Sequence, residues 1–234
     1  MKRSAFAKIA TLALALVLVL SLAACGKKSD SGVKILVPND TTNEARALLL
    51  LQENGIITLK DGAGIPATKN DIVDNPYNVE IVEAEAAQLP SLLADAEYAV
   101  INSNYAINAG LNPVKDSLLI EGSASAYANI LAVKEGTENT DAVKALKAAL
   151  ESQQVVDYIN EKNDGSVVSV VTNPTDGYDA SVNYDALNGT TISVAASPTP
   201  HAEILEVAKQ ILAAKGVTLD IQVYNDYVVP NTVV

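Results

Sequence analysis

The sequence is poor in the residues that build disulfides, metal centres and aromatic platforms. Its 234 residues contain one Cys, one Met, one His and no Trp, and Phe6 is the only Phe. A single Cys excludes an intrachain disulfide framework and a zinc site built from several cysteines. A single His excludes a metal site that needs several histidines. We therefore expect a protein without a metal or another cofactor.

Acidic residues outnumber basic residues by 28 to 16, and the formal net charge is −12. This balance argues against nucleic acid as a partner, because Lys and Arg are what neutralise phosphates. Apolar residues make up 49% of the chain, while aromatic residues make up only 4%. The core is therefore expected to consist of Val, Ile, Leu and Ala, with Tyr as its aromatic residue.

The N-terminal 25 residues have the pattern of an export signal. Basic residues come first, and residues 9–20 then form an almost unbroken apolar run that is too short for a typical membrane-spanning helix. Small residues follow, directly before Cys25. We therefore predict a secretory signal peptide over residues 1–24. Its removal would change the formal charge from −12 to −15, because it carries three basic residues and no acidic ones.

The end of this signal, Leu22-Ala23-Ala24-Cys25, resembles the lipobox of bacterial lipoproteins. The resemblance implies that Cys25 receives a lipid such as palmitate on its sulfur and becomes the new N-terminus. The alternative is an ordinary cleaved signal with an incidental Cys. Residues 25–32 are small and polar, as expected of a flexible tether. The predicted location is the bacterial cell envelope, with the protein lipid-anchored to the membrane on its extracytoplasmic side.

The rest of the chain predicts strands that alternate with helices, which favours an α/β fold with mainly parallel sheets. Residues 172–190 are rich in Asn, Asp, Thr, Gly and Tyr, lack a helical period and predict a linker. The predicted strands are residues 33–38, 78–84, 97–102, 127–133, 191–195 and 217–223, and residues 165–171 are predicted to be extended. The predicted helices are residues 42–54, 88–95, 140–163 with a break near Ser152, and 200–215.

Two Pro-containing turns each join the end of a predicted strand to the start of a helix. They are residues 37–43 (VPNDTTN) and residues 196–201 (ASPTPH). Ligands bind at the carboxyl ends of strands in α/β sheets, and helix N-termini offer free N–H groups to anions. Two such junctions facing each other would suit a small ligand with a carboxylate. The alternative is that Thr41, Thr42 and Thr199 only cap their helices.

Several separate motifs carry a family resemblance. They are ILVPNDTTN at 35–43, RALLLL at 46–51, DIVDNP at 71–76, EAAQLP at 85–90, VINSNYA at 100–106, AGLNP at 109–113, YAN at 127–129, PHAEILE at 200–206, DYV at 226–228 and PN at 230–231. Together they resemble the NlpA-type lipoproteins, the methionine-binding components of bacterial ABC importers. The likeness covers nearly all of the mature chain except the predicted linker.

The order of these motifs departs from the family's order. In the family, the stretch that matches PHAE lies near the mature N-terminus, and the stretch that matches PND lies in the second half. The middle of the family sequence, which includes an aromatic and histidine-bearing ligand motif, has no counterpart here. The chain is therefore expected to be either a circular permutant with a deletion or a fragment of a tandem two-copy protein.

The resemblance implies an α/β, two-lobed fold of the periplasmic-binding-protein type (type II), with the ligand between the lobes. One lobe is expected to be nearly complete and the other partial. The expected divisions are the signal peptide at 1–24, the lipid-anchored tether at 25–32, the second lobe at 33–125, part of the first lobe at 126–171, the linker at 172–190 and the start of the first lobe at 191–234.

The resemblance also implies which side chains bind the amino acid. Asn43 and Asn102 match positions whose amides hold its polar end, and an amide can donate to a carboxylate and accept from an ammonium group. Tyr105 and His201 complete the candidate ligand site, although packing is the alternative for Tyr105 and a structural role is the alternative for His201. Two further residues have lesser roles: Asn104 as a substitute for Asn102, and Arg46 as part of an internal ion pair.

The expected function is that of a substrate-binding lipoprotein, which captures methionine or a related amino acid between its lobes and delivers it to an ABC permease. The alternative is a truncated or permuted surface lipoprotein that no longer binds ligand and acts through protein contacts. An enzyme is disfavoured, because His201 is the only His and no Gly-x-Ser-x-Gly elbow occurs. A carbohydrate hydrolase would also need aromatic platforms.

Overall fold

The computed structural model describes residues 32–122 and 127–233, so the signal peptide, Cys25 and nearly all of the tether lie outside the described residues. We call residues 32–122 the N-terminal region and residues 127–233 the C-terminal region. The strands are β1 Lys34–Pro38, β2 Thr58–Leu59, β3 Ile72–Asp74, β4 Glu80–Ala84, β5 Tyr98–Ala99, β6 Thr191–Ala196 and β7 Thr218–Val223. The α-helices are α1 Thr41–Glu53, α2 Leu89–Leu92, α3 Ser103–Asn108, α4 Asp141–Leu150, α5 Gln153–Lys162, α6 Tyr184–Leu187, α7 Glu203–Ala213 and α8 Pro230–Val233.

The N-terminal region is built around a parallel sheet in the order β4-β1-β5. The central strand β1 pairs with β4 from Lys34↔Glu80 to Pro38↔Ala84, and with the shorter β5 over two residues. Parallel strands need crossover connections, and α1 supplies the one that follows β1. The carboxyl ends of β1 and β5 therefore lie at the same edge of the sheet, where α1 and α3 begin.

Three sequence features favour helix α1: a capping residue at its start, an apolar face and a Gly directly after its end. Asp40 caps the helix by accepting a hydrogen bond of 3.0 Å from the Asn43 N–H. Leu48 and neighbouring apolar residues pack against β1, and Gly55 adopts a positive φ of 68° directly after the helix. The N-terminal core consists of Ile35, Val37, Ala45, Ala47, Leu48, Leu51, Ile57, Leu59, Ala67 and Val79.

The C-terminal region contains the parallel pair β6 and β7, which α7 connects and covers. The predicted break near Ser152 is confirmed: its hydroxyl caps α5 by accepting a bond of 3.2 Å from the Val155 N–H, so α4 and α5 are separate helices. The C-terminal core consists of Ala145, Leu146, Ala149, Val182, Leu205, Ala208, Ile211, Leu212, Val217 and Leu219.

One predicted strand is wrong. Residues 127–133 pair with no strand in the described ranges; Leu131 packs against the C-terminal core, but Ile130 is 85% exposed. Residues 165–171, predicted to be extended, lie outside the seven strands. Alternating apolar residues stabilise a strand only when a neighbouring strand receives its hydrogen bonds and side chains. In the part of the chain that the structure describes, no helix is long and apolar enough to cross a membrane.

Candidate functional site

The two predicted ligand-binding amides, Asn43 and Asn102, are in direct contact although 59 residues separate them. The Asn102 Nδ2 group donates to the Asn43 Oδ1 atom at 2.8 Å. The Asn43 Nδ2 group donates to both carboxylate oxygens of Asp40, at 2.9 and 3.0 Å. The same Asp40 that caps α1 therefore also fixes the orientation of the Asn43 amide.

Asn102 presents an unused acceptor at the start of α3. Its backbone is extended at the position before the helix, directly after the chain leaves β5. The side-chain Oδ1 atom is buried and has no hydrogen-bond partner among the described residues. A buried polar atom without a partner is costly, so this acceptor is a natural contact for a ligand that donates hydrogen bonds.

Arg46 lies one helical turn after Asn43 and stabilises the same amide. Its Nη1 group donates to Asn43 Oδ1 at 3.1 Å, while its guanidinium forms a two-pronged ion pair with the Glu121 carboxylate. The guanidinium also lies over the Tyr127 ring, 4.9 Å from its centroid. Arg46 thus forms the ion pair predicted for it. Its contact with Asn43 shows in addition that it belongs to the site.

Tyr105 is placed between the two regions of the molecule. It is 5% exposed, its hydroxyl donates to the Asn225 carbonyl at 3.2 Å, and its ring lies 5.0 Å from the Tyr227 ring. The Tyr227 hydroxyl in turn donates to Asn104 Oδ1 at 2.7 Å. Burial raises the pKa of Tyr105 well above its usual range and raises the pKa of Tyr227 to about 12, so both phenols are neutral donors.

Asn104 has a second buried polar atom that the protein leaves unpaired. Its Oδ1 atom accepts from Tyr227, but its Nδ2 group has no partner within residues 32–122 and 127–233. Asn102 and Asn104 therefore offer one unused acceptor and one unused donor within the same short stretch. This pair matches the two polar groups of an amino acid, whose ammonium group donates and whose carboxylate accepts.

His201 approaches the site from the C-terminal region. It lies in the turn Pro198–Ala202 before α7, and this turn packs against α3. One ring nitrogen, Nε2, is 3.1 Å from the Asn129 Oδ1 atom, while the other, Nδ1, is buried without a partner in the described chain. Burial lowers the pKa of His201. In the neutral ring Nε2–H donates to Asn129, so Nδ1 is an acceptor.

Helix α3 contacts both Pro-containing junctions. In the described part of the chain, the hydroxyl groups of their threonines do not connect the two junctions. Asp40, not Thr41 or Thr42, caps α1, and the Thr199 hydroxyl donates to the Glu203 carboxylate at 2.8 Å. The interpretation of these threonines as helix caps is therefore wrong. Helix α3 contacts the first junction through Asn102 and packs against the second.

A buried carboxyl group stands beside the site in the first turn of α1. Glu44 is 5% exposed and accepts a bond of 2.9 Å from the Lys69 N–H. Burial raises the pKa of Glu44, whereas the hydrogen bond from the Lys69 ammonium group lowers the pKa of Glu83. These groups form no metal site: no cluster of three His, Cys, Asp or Glu side chains suited to a metal ion occurs among the residues that the structure describes.

Sequence reasoning missed several polar residues at the site. Asn129 and Tyr227 lie inside the family motifs, so their presence in the motifs was a usable signal. Their contacts were not predictable, because His201 reaches Asn129 across 72 positions and Tyr227 reaches Asn104 across 123.

Comparison with known proteins decides the family. The profile of the NlpA lipoproteins matches residues 27–171 and 192–234. The chain belongs to the NlpA lipoprotein family. This NlpA-family chain is 45% identical to the D-methionine-binding lipoprotein MetQ of Salmonella typhimurium over 139 residues, which cover 58% of the chain and 51% of MetQ. It spans about half the length of the curated relatives it matches.

Solved structures of relatives show the same fold. A lipoprotein from Ruminococcus gnavus is 55% identical, with a TM-score of 0.58, over 61% of this chain and 60% of its own. A nutrient binding protein from Burkholderia cenocepacia, solved bound to methionine, is 45% identical, with a TM-score of 0.58, over 62% of this chain and 61% of its own. These matches confirm the predicted family and the two-lobed α/β fold of type II.

Proposed function

We propose that this chain is a substrate-binding lipoprotein of an ABC importer and that it captures methionine or a related amino acid between its two lobes. The observation that carries the proposal is the pair of amides Asn43 and Asn102, fixed by Asp40 and Arg46, with Asn102 Oδ1 buried and unused. One named relative is a D-methionine-binding lipoprotein, and one solved neighbour is bound to methionine.

Each residue has a role in this proposal that its chemistry can perform. Asn102 Oδ1 accepts from the ligand ammonium group, and Asn104 Nδ2 donates to the ligand carboxylate. Asn43 holds Asn102, while His201 closes the site from the opposite region and Tyr105 fastens the contact between the regions. Binding is non-covalent and depends on lobe closure, so the chain acts as a carrier and not as an enzyme.

We infer the same lobe division as before, with one lobe at 33–125 and the other formed by 126–171 together with 191–234. The two separate hydrophobic cores support it, and residues 178–187 of the predicted linker pack on the second core. The rearranged order of segments is supported by how much of the chain single relatives match, compared with how much the family profile matches. Alignments with single relatives span about 58% of the chain, whereas the family profile matches two blocks on either side of residues 172–191.

The membrane arrangement completes the proposal. Cys25 carries the lipid, the segment up to Gly32 is the tether, and the lobes lie on the extracytoplasmic side, where they dock on the permease. The family's lipoprotein character supports this arrangement.

Calorimetric titration of the purified lipoprotein in detergent with L-methionine tests the function. We expect binding tighter than millimolar and a loss of about ten- to a hundredfold in affinity for Asn102→Ala, because a hydrogen bond to a charged group is removed. Asn173→Ala, which changes an exposed Asn in the irregular segment after α5, is the matched control and should bind like the wild type. Absence of binding, or equal affinity of both variants, would contradict the proposal.

One observation favours the alternative of a surface lipoprotein that acts through protein contacts. Leu118, near the end of the N-terminal region, is 81% exposed, and Ile130, near the start of the C-terminal region, is 85% exposed. Leu119 and Ile120, directly after Leu118, are exposed as well, and contiguous exposed apolar residues are typical of interaction surfaces. This alternative predicts no methionine-dependent heat in the same titration.

A further inference from the structure

The segment that joins the two family blocks is packed into the fold. The family profile stops at residue 171 and resumes at residue 192, and the sequence between them predicts a linker. In the structure, residues 175–190, which we call the strap, run across the C-terminal core. Val182 within the strap is only 8% exposed, and three other strap side chains, Tyr178, Tyr184 and Leu187, pack against the same core.

Both ends of the strap are fixed by backbone hydrogen bonds. At its start, the Gln153 N–H donates to the Thr175 carbonyl at 2.8 Å, and the Thr175 N–H donates to the Glu151 carbonyl at 3.1 Å. At its end, the Gly189 N–H donates to the Gly216 carbonyl at 2.8 Å. The first pair ties the strap to the break between α4 and α5, and the last ties it to the turn between α7 and β7.

The middle of the strap fits closely against α7. The Tyr178 hydroxyl donates to the Ile211 carbonyl at 3.2 Å. Gly177 has a φ of 95°, and a Cβ atom at this position would lie 2.8 Å from Ile211 Cγ2. Only Gly combines this backbone conformation with so close an approach. The strap therefore packs against α7 in one defined position.

A lysine outside the strap holds its two tyrosines. The Lys215 ammonium group lies 4.7 Å from the centroid of the Tyr178 ring and 5.6 Å from that of Tyr184. The two rings meet edge to face, with their centroids 5.6 Å apart. A cation over aromatic rings is attracted by their electron-rich faces. Because Lys215 follows α7 directly, this contact clamps the strap to the β6–α7–β7 unit.

We propose that the strap is a structural joint, clamped by Lys215, that locks the β6–α7–β7 unit onto α4 and α5. A pair of strands and a pair of helices are each too small to bury a stable core alone. The strap supplies four side chains to their common core and binds backbone groups of both units. It thereby lets two family blocks that are separated in the sequence build one core.

Cleavage by chymotrypsin tests the strap, because Tyr178, Tyr184 and Leu187 are sites that this protease recognises. We expect the wild-type lipoprotein in detergent to resist cleavage there, and Lys215→Gln to be cut about three- to thirtyfold faster, since cleavage follows the opened population. Lys209→Gln is the matched control: Lys209 is a neighbouring, partly exposed lysine of α7 whose ammonium group pairs with Glu206, and its loss should leave the rate unchanged.

Hydrogen exchange of the unmodified protein provides a second test that needs no variant. The amides of Gln153, Thr175 and Gly189 should be protected to the same extent as those in α7. Rapid exchange at these amides, cleavage of the wild-type strap at the rate of an unfolded peptide, or equal cleavage of the two lysine variants would each overturn the proposal.

Discussion

The two regions of this molecule have similar numbers of core residues but obtain them in different ways. The N-terminal region builds its core from one continuous stretch, residues 35–79, around a three-stranded parallel sheet. The C-terminal region has a two-stranded sheet, and its core draws on residues 145–149, on Val182 in the strap and on residues 205–219. The second core therefore depends on contacts between distant segments, and its stability depends on holding those segments together.

Shortening a buried core side chain should change the stability of each region more than any other substitution described below. Leu48 and Leu212 are both fully buried, one in each core. We expect Leu48→Ala and Leu212→Ala each to lower the free energy of unfolding of its own region by about 2–5 kcal/mol. Hydrogen exchange resolved by region is the measurement. Equal loss of protection in both regions from either change would show that the two cores unfold as one unit.

Helix caps should give a smaller and more selective effect. Asp40 caps α1, and Ser152 caps α5. We expect Asp40→Ala and Ser152→Ala each to cost about 1 kcal/mol of unfolding free energy. Only Asp40→Ala should also weaken methionine binding, because of these two capping residues only Asp40 accepts hydrogen bonds from the Asn43 amide. Thermal unfolding and calorimetry together check both parts, and an equal loss of binding in the two variants would refute the second.

Lowering the pH should stabilise the N-terminal region and destabilise the C-terminal region. We expect these changes in the free energy of unfolding to be the smallest of the three effects. Glu44 has a raised pKa, so the folded N-terminal region holds a proton that the unfolded chain releases, and stability rises as the pH falls toward 4.5. His201 has a lowered pKa, so stability of the C-terminal region is complete above pH 6.5 and falls as the pH drops below it.

The variant Glu44→Gln should remove the pH dependence of the N-terminal region's stability and leave that of the C-terminal region. His201→Gln should do the reverse. Region-resolved hydrogen exchange between pH 5 and 7 is the measurement. A parallel pH dependence of both regions in the wild type would contradict the assignment.

Much of the fold follows from local sequence signals. The apolar spacing around Leu48 and the Gly55 that follows define α1, and Ser152 marks the break between α4 and α5. These elements were predictable because their causes lie within a few residues of one another. The strand predicted at 127–133 failed for the opposite reason, since an alternating pattern does not show whether a neighbouring strand is present.

The strap and the site show the same limit. Tyr178 and Tyr184 lie in a polar segment, so nothing local showed that Lys215 would contact them. Asn43 and Asn102 were identified through the family resemblance, and the structure places them in contact. The unpaired atoms of Asn104 and His201 could not be read from the sequence, because pairing depends on distant neighbours.

We infer that both regions contribute to one methionine site. The most direct measurement is the affinity of the full lipoprotein for L-methionine in three forms: wild type, Asn102→Ala in the N-terminal region and His201→Ala in the C-terminal region. We expect binding tighter than millimolar for the wild type and a loss of about tenfold or more for each variant. Wild-type affinity in His201→Ala, or no binding by the wild type, would contradict it.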